Sequence, residues 1–172
     1  QSSDMLGCYG NDQIITPNID GMAADGVRFR HCISSSPVCT PHRGMLLSGQ
    51  HPLYNGAMIN DMQMLPGNGD YFAEVLRDAG YHTGYIGKWH LGNEVVAQHG
   101  FDEWLPCFDH WWHEYTDDSY CQRLSPYHNW LVEHGFEPDA PHPAGKYFSE
   151  RFRSQLPREY HMATWIGAQA AN

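Results

Sequence analysis

The sequence predicts an α/β fold built around a mainly parallel sheet. Three observations carry that prediction. Segments of about ten residues with helical spacing of apolar side chains alternate with short segments of strand character. Glycine and proline stand at nearly every boundary between them. The 172 residues are 41% hydrophobic and 13% aromatic, a composition that forms a core and is not that of a disordered chain. In parallel sheets of this kind ligands sit at the carboxyl ends of the strands, so the loops that follow the strands are the places to look for chemistry.

The elements follow in order. Thr16-Pro17 sets a capping hydroxyl before a proline at the first helical position. Ile19, Met22 and Ala23 continue at helical spacing, and Gly26 is placed to end that helix. Val27, Phe29, His31 and Ile33 alternate with polar residues, which predicts a strand over 27–33. Ser34-Ser35-Ser36-Pro37 reads as a loop, and a second helix is expected from Pro41 to Ser48, stopping at Gly49. A third runs from Tyr71 to Ala79, with Phe72, Val75, Leu76 and Ala79 on one face and Gly80 after it. Tyr81 to Ile86 is a strand that opens into Gly87-Lys88-Trp89-His90-Leu91-Gly92. From Leu105 to Arg153 the periodicity weakens among Trp111, Trp112, Tyr115, Tyr120, Tyr127 and Trp130. Residues 105–153 are therefore read as an irregular, aromatic-rich insertion or lid, with one helix near Asn129 to His134. Arg158 to Ala171 is helical again.

Composition narrows the partners. The formal charge is −10, from 10 Lys+Arg against 20 Asp+Glu. No basic cluster is present to displace counterions from a phosphate backbone, so nucleic acid is not an expected partner. No apolar run approaches the ~18 residues of a membrane span. No basic, apolar and small-residue leader is read at Gln1, and the chain reads as a piece of a longer protein. Five cysteines (Cys8, Cys32, Cys39, Cys107, Cys121) are too few for a disulfide scaffold at this length. The compartment stays open.

The most informative stretch is Cys39-Thr40-Pro41-His42-Arg43-Gly44-Met45-Leu46-Leu47-Ser48-Gly49. Cys39 stands just before the second helix, whose first-turn amides are unpaired and point at it. Arg43, four residues on, projects from the same face. A helix N-terminus beside a guanidinium suits a tetrahedral oxyanion such as sulfate or phosphate. It also favours a reactive group at position 39. Lys88 and His90, two residues apart just after a strand, can serve one cleft.

Cys39-Thr40-Pro41-His42-Arg43 resembles the C-x-P-x-R signature of the type I sulfatases. Gly80 to Gly92 is similar to that family's second signature. Leu6-Gly7-Cys8-Tyr9-Gly10-Asn11 and Thr16-Pro17-Asn18-Ile19-Asp20 are similar to its opening, and His99 to Trp104 matches again. His42 and Gly44 depart from the more usual Ser and Ala.

The resemblance implies an alkaline-phosphatase-like sandwich, incomplete in this chain, with residues 1–172 forming part of the N-terminal catalytic domain. It implies a sulfuric ester hydrolase in which a separate formylglycine-generating enzyme oxidises Cys39 to formylglycine. The hydrated aldehyde attacks the sulfur of a sulfated small molecule or sugar, and regains its carbonyl as sulfate leaves. Carried over, Cys39 is the nucleophile precursor and, once modified, a ligand to a divalent cation, usually calcium. Arg43 would stabilise the modified residue. Lys88 would neutralise the sulfate, and His90 would hydrogen-bond residue 39 and assist its deprotonation; both would bind substrate. The other cation ligands, aspartates with an Asn or a further Asp, are expected outside this chain, so that it is not an active catalyst by itself. The family is often periplasmic, secreted or lysosomal.

Two alternatives stay open. A phosphonate or phosphate monoester hydrolase of the same fold could use the same loop. Alternatively, Cys107, His110, His113 and Cys121, spaced C-x₂-H-x₂-H-x₇-C, could make a zinc-binding module without catalysis.

Overall fold

Each compact unit of the chain is built around its own set of contacts: Gln1–Ser34 forms one and Ser35–Asn172 the other. The computed structural model describes residues 3–60, 70–107, 115–138 and 156–171.

In the first unit two single 3-10 turns, Ser3–Met5 and Gly7–Tyr9, precede helix α1 (Pro17–Asp25). Thr16 occupies the capping position and Pro17 the first helical one, as the sequence indicates. The Thr16 hydroxyl does not cap the helix. It accepts from Gly7 N at 2.9 Å and donates to the Asp20 carboxylate at 3.1 Å. Asp20 also accepts from Cys8 N at 2.6 Å. A Cβ on Gly7 would lie 2.5 Å from Asp20 Oδ2, so a larger residue there would push the carboxylate aside. The strand expected over 27–33 does not form. That stretch is irregular, with Val27 81% and Ile33 89% exposed. Alternation of apolar residues provides a face, but a strand needs a neighbouring backbone, and none pairs with it among the described residues.

In the second unit helix α2 (Cys39–Ser48) begins two residues earlier than expected and ends on Gly49, whose φ of 65° closes the last turn onto Met45 O. It packs against α3 (Pro52–Asn55) and α4 (Phe72–Asp78). Strands β1 (Gly84–Gly87) and β2 (Glu103–Pro106) pair in parallel, Gly84 opposite Glu103 and Gly87 opposite Pro106. β1 is shorter than the predicted 81–86 because the ladder starts at Thr83, whose carbonyl accepts from both Asp102 N and Glu103 N. Helix α5 (Pro126–Glu133) packs near β2, and α6 (Met162–Ala170) near β1. α5 starts three residues ahead of the expected helix. Ser125 caps it through Oγ, accepting from His128 N, and Pro126 follows at its first turn. The last helix is interrupted: Arg158–Tyr160 is a 3-10 turn, and His161 is extended and caps α6 through Nδ1.

Two apolar clusters hold this unit. The first joins Leu47 of α2, Ala57, Tyr71, Ala73 of α4, Trp89, Leu91 and Phe101, with Tyr85 and Trp104 against it. The second joins Cys107, Tyr127, Leu131 and Trp165. Tyr127 and Trp130, which the sequence places in an irregular segment, stack on one another, and Tyr127 is 1% exposed. Trp111 and Trp112 lie outside the described residues. Gly100 admits no substitute: its φ is 84°, and a Cβ there would lie 2.5 Å from Glu74 Cα and 2.7 Å from Ala73 C.

Candidate active site

Cys39 is the first residue of α2 and is exposed. Val38, the residue before it, is extended at φ −120° and ψ 148° and has no side-chain acceptor to cap the helix. The amide of Thr40 finds its acceptor in Asn60 Oδ1 at 3.0 Å. Pro41 contributes no N–H at all, so the sequence reduces the number of orphan donors in this first turn.

The second half of the site is the segment after β1. Lys88, Trp89 and His90 follow directly on Gly87, at the carboxyl end of the parallel pair. Between the two polar residues Trp89 is 0% exposed, packed edge-on to Tyr85 and Trp104 at ring-centroid separations of 5.0 and 4.9 Å. A fully buried tryptophan pins the loop between its polar neighbours, an anchor worth about 3 kcal/mol of apolar burial. Lys88 is half-buried and His90 only 1% exposed.

The two halves meet through α2. Arg43 Nη1 donates to Lys88 O at 2.5 Å and to Tyr85 Oη at 3.2 Å. Tyr85 Oη in turn donates to the same Lys88 carbonyl. Next to Cys39, Thr40 Oγ1 donates to His90 O at 2.9 Å. Arg43 is thus tied directly to Lys88, and Cys39 reaches His90 through its neighbour in the chain. Burial pushes the Tyr85 phenol up to about 12 against the pull of the Arg43 guanidinium, while Glu94 adds to the rise. Tyr85 is therefore protonated at neutral pH and able to donate.

Sequence reasoning missed Tyr85, Thr40 and Glu94. Tyr85 reads as one more apolar strand residue, and Thr40 as the variable position of a motif. The only signal for Tyr85 is its period-two spacing with Gly87, which places both on one side of β1.

Among the described residues no group of three or more His, Cys, Asp or Glu could hold a metal ion. A hard cation wants six or more oxygens, so these residues do not by themselves fit the expected calcium. Of the alternative zinc set, His110 and His113 lie outside the described residues. Cys107 is buried and Cys121 exposed.

Residues 1–159 match the sequence model of the Sulfatase family. The chain belongs to that family. An ulvan-active sulfatase of Formosa agariphila is 39% identical over 106 residues, covering 62% of this chain and 20% of the relative. The steryl-sulfatase of Rattus norvegicus is 38% identical over 120 residues, covering 58% and 21%. Among solved structures, a protein in complex with its substrate D-glucosamine-2-N,6-O-disulfate matches with a TM-score of 0.54 and 36% identity, over 60% of this chain and 20% of that one. The fold is accordingly the α/β, alkaline-phosphatase-like one, incomplete in this chain. This sulfatase chain spans about a fifth of the length of the curated relatives it matches. Among the described residues no helix is long and apolar enough to cross a membrane.

Proposed function

We propose that this chain is the nucleophile-bearing part of a formylglycine-dependent sulfuric ester hydrolase whose substrate is a sulfated sugar or another small sulfate ester. The observation that carries the reading is the hydrogen bond from Arg43 Nη1 to Lys88 O. It joins the C-x-P-x-R helix to the Lys88–His90 loop at the carboxyl end of β1. The disulfated glucosamine bound by the structural relative supports a sugar ester.

A formylglycine at position 39, once hydrated, supplies a hydroxyl nucleophile for sulfur and a second hydroxyl that lets the carbonyl re-form as sulfate departs. The chain's own residues do the rest. Arg43 spends Nη1 on the Lys88 loop among the described residues, and the remaining edge of its planar fork suits an oxyanion. Lys88 places an ammonium beside the transferring sulfuryl group, where charge develops. His90 accepts or returns a proton at residue 39. Residue 39 would be one ligand to a divalent cation, calcium in this reading, which would supply positive charge beside the sulfate. A separate modifying enzyme reads Cys39 to Arg43 on the unfolded chain.

The test is chemical. In the full-length protein made alongside a formylglycine-generating enzyme, the peptide containing Cys39 carries an aldehyde by mass spectrometry, and an aryl sulfate is turned over. Cys39→Ala removes both. Turnover with Cys39 still a thiol would overturn the assignment of the nucleophile.

A further inference from the structure

His90 has a φ of 59°, in the left-handed region that a residue with a Cβ seldom occupies. Such a conformation persists only where the surroundings over-determine it. Here both backbone groups of His90 are held. Its N–H donates to Glu94 Oε1 at 2.8 Å. Its carbonyl accepts from Thr40 Oγ1 at 2.9 Å. Both partners are 0% exposed. Each is itself fixed: Trp104 Nε1 donates to Glu94 O at 2.6 Å, and Thr40 N donates to Asn60 Oδ1.

We propose that Thr40 and Glu94 are a pair of positioning residues that clamp His90 from opposite sides and set its place relative to residue 39. The inference rests on the sulfatase reading of Cys39 and His90 given above. Thr40 carries the coupling, because it follows Cys39 directly and reaches across 50 residues of sequence to His90. Glu94 carries the shape. Its carboxylate, four residues on, folds back onto the His90 amide, and an amide bonded to a carboxylate is held more firmly than one bonded to a neutral acceptor. Folding a glutamate to zero exposure is costly. An apolar residue would avoid that cost and would leave the His90 amide without this acceptor. Neither clamp residue needs to touch substrate.

The experiment compares Glu94→Leu with Glu94→Gln, and Thr40→Val with Thr40→Ser, in the full-length protein. Three things are read: kcat and KM on an aryl sulfate, aldehyde content at position 39, and amide exchange over Lys88–Leu91. Misplacing a reacting group by about 1 Å costs up to ~100-fold. Glu94→Leu and Thr40→Val should therefore lower kcat by ~10–100-fold per modified site, with KM held within about twofold. Exchange over Lys88–Leu91 should quicken. Glu94→Gln and Thr40→Ser retain the acceptor and the donor and should recover most of kcat. If Glu94→Leu does not fold, the Thr40 pair decides the matter. Wild-type kcat in both disruptive variants, or a Gln variant as impaired as Leu, overturns the clamp. Failure of the sulfatase reading looks different: no turnover by the unmutated protein, or turnover that survives Cys39→Ala. Exchange still judges the clamp in that case, and unchanged exchange in both disruptive variants overturns it.

Discussion

Removing the Tyr85 hydroxyl tests the brace between α2 and the Lys88 loop with little else disturbed. In Tyr85→Phe the ring keeps its stacking on Trp104, at 5.2 Å and 29°, and its edge contact with Trp89. Two hydrogen bonds disappear: the one that Arg43 Nη1 donates to the hydroxyl at 3.2 Å, and the one that the hydroxyl donates to Lys88 O. Neither partner is stranded, because Arg43 and Lys88 O still hold each other at 2.5 Å. The cost is therefore that of net bonds and not of orphaned groups, about 1 kcal/mol for the neutral one and about 1.5 for the charged one. If half to all of about 2.5 kcal/mol is felt at the transition state, kcat/KM falls by ~8- to ~70-fold. The assay is aryl sulfate turnover by the full-length protein, divided by the aldehyde content at position 39. Arg43→Lys completes a cycle: an ammonium cannot serve both acceptors in the guanidinium's geometry, so Tyr85→Phe should cost less in that background, with a coupling of about 0.5–3 kcal/mol. Strict additivity of the two substitutions, or a Tyr85→Phe protein with unchanged kcat/KM, would refute the brace.

Three further outcomes are expected. Gly100→Ala should destabilise the protein by about 2–4 kcal/mol, since the new methyl meets the α4 backbone at a positive φ; equilibrium denaturation of the full-length protein reads it, and a loss below about 1 kcal/mol would contradict the packing. Tyr85 and Tyr127 are both raised to about 12 by burial. The folded state thus holds these protons more tightly than the unfolded chain, so the contribution of these two tyrosines to stability is constant below pH 10 and declines from there to about 12. In an absorbance titration Tyr85 and Tyr127 should ionise late, alongside Tyr71, which burial also raises, and Tyr85→Phe and Tyr127→Phe should each remove one late-ionising group. Finally, the 172-residue chain by itself should not bind calcium tightly; stoichiometric heat on calorimetric titration below millimolar calcium would reveal a ligand set not assigned here.

What could be read from the sequence divides along a physical line. Punctuation that acts locally was legible: Thr16-Pro17 before α1, Gly49 at the end of α2, Gly80 after α4. So was the placing of Cys39 and Arg43 on one helix, four residues apart. Features that exist only through a distant partner were not. Val27 to Ile33 has strand alternation, yet alternation cannot supply the neighbouring backbone that makes a ladder. The left-handed backbone of His90 is bonded to Thr40 on one side and Glu94 on the other, and nothing in a K-x-H spacing encodes either. Tyr85 carried its aromatic character openly, but its hydroxyl mattered only once Arg43 and Lys88 O were found around it.

Trp89 has a consequence for how this protein would wear out. Loops bearing reactive groups are commonly the first parts to open, well before the whole fold gives way. Here the indole between Lys88 and His90 is itself a member of the main apolar cluster, alongside Leu47, Tyr71 and Phe101. The Lys88–His90 loop and the interior share a residue, so they have no separate melting step. Heating would leave the geometry of this loop intact until the interior itself fails, and then remove both together. A sulfatase arranged this way ages by losing whole molecules from the population, not by a gradual slackening of each one.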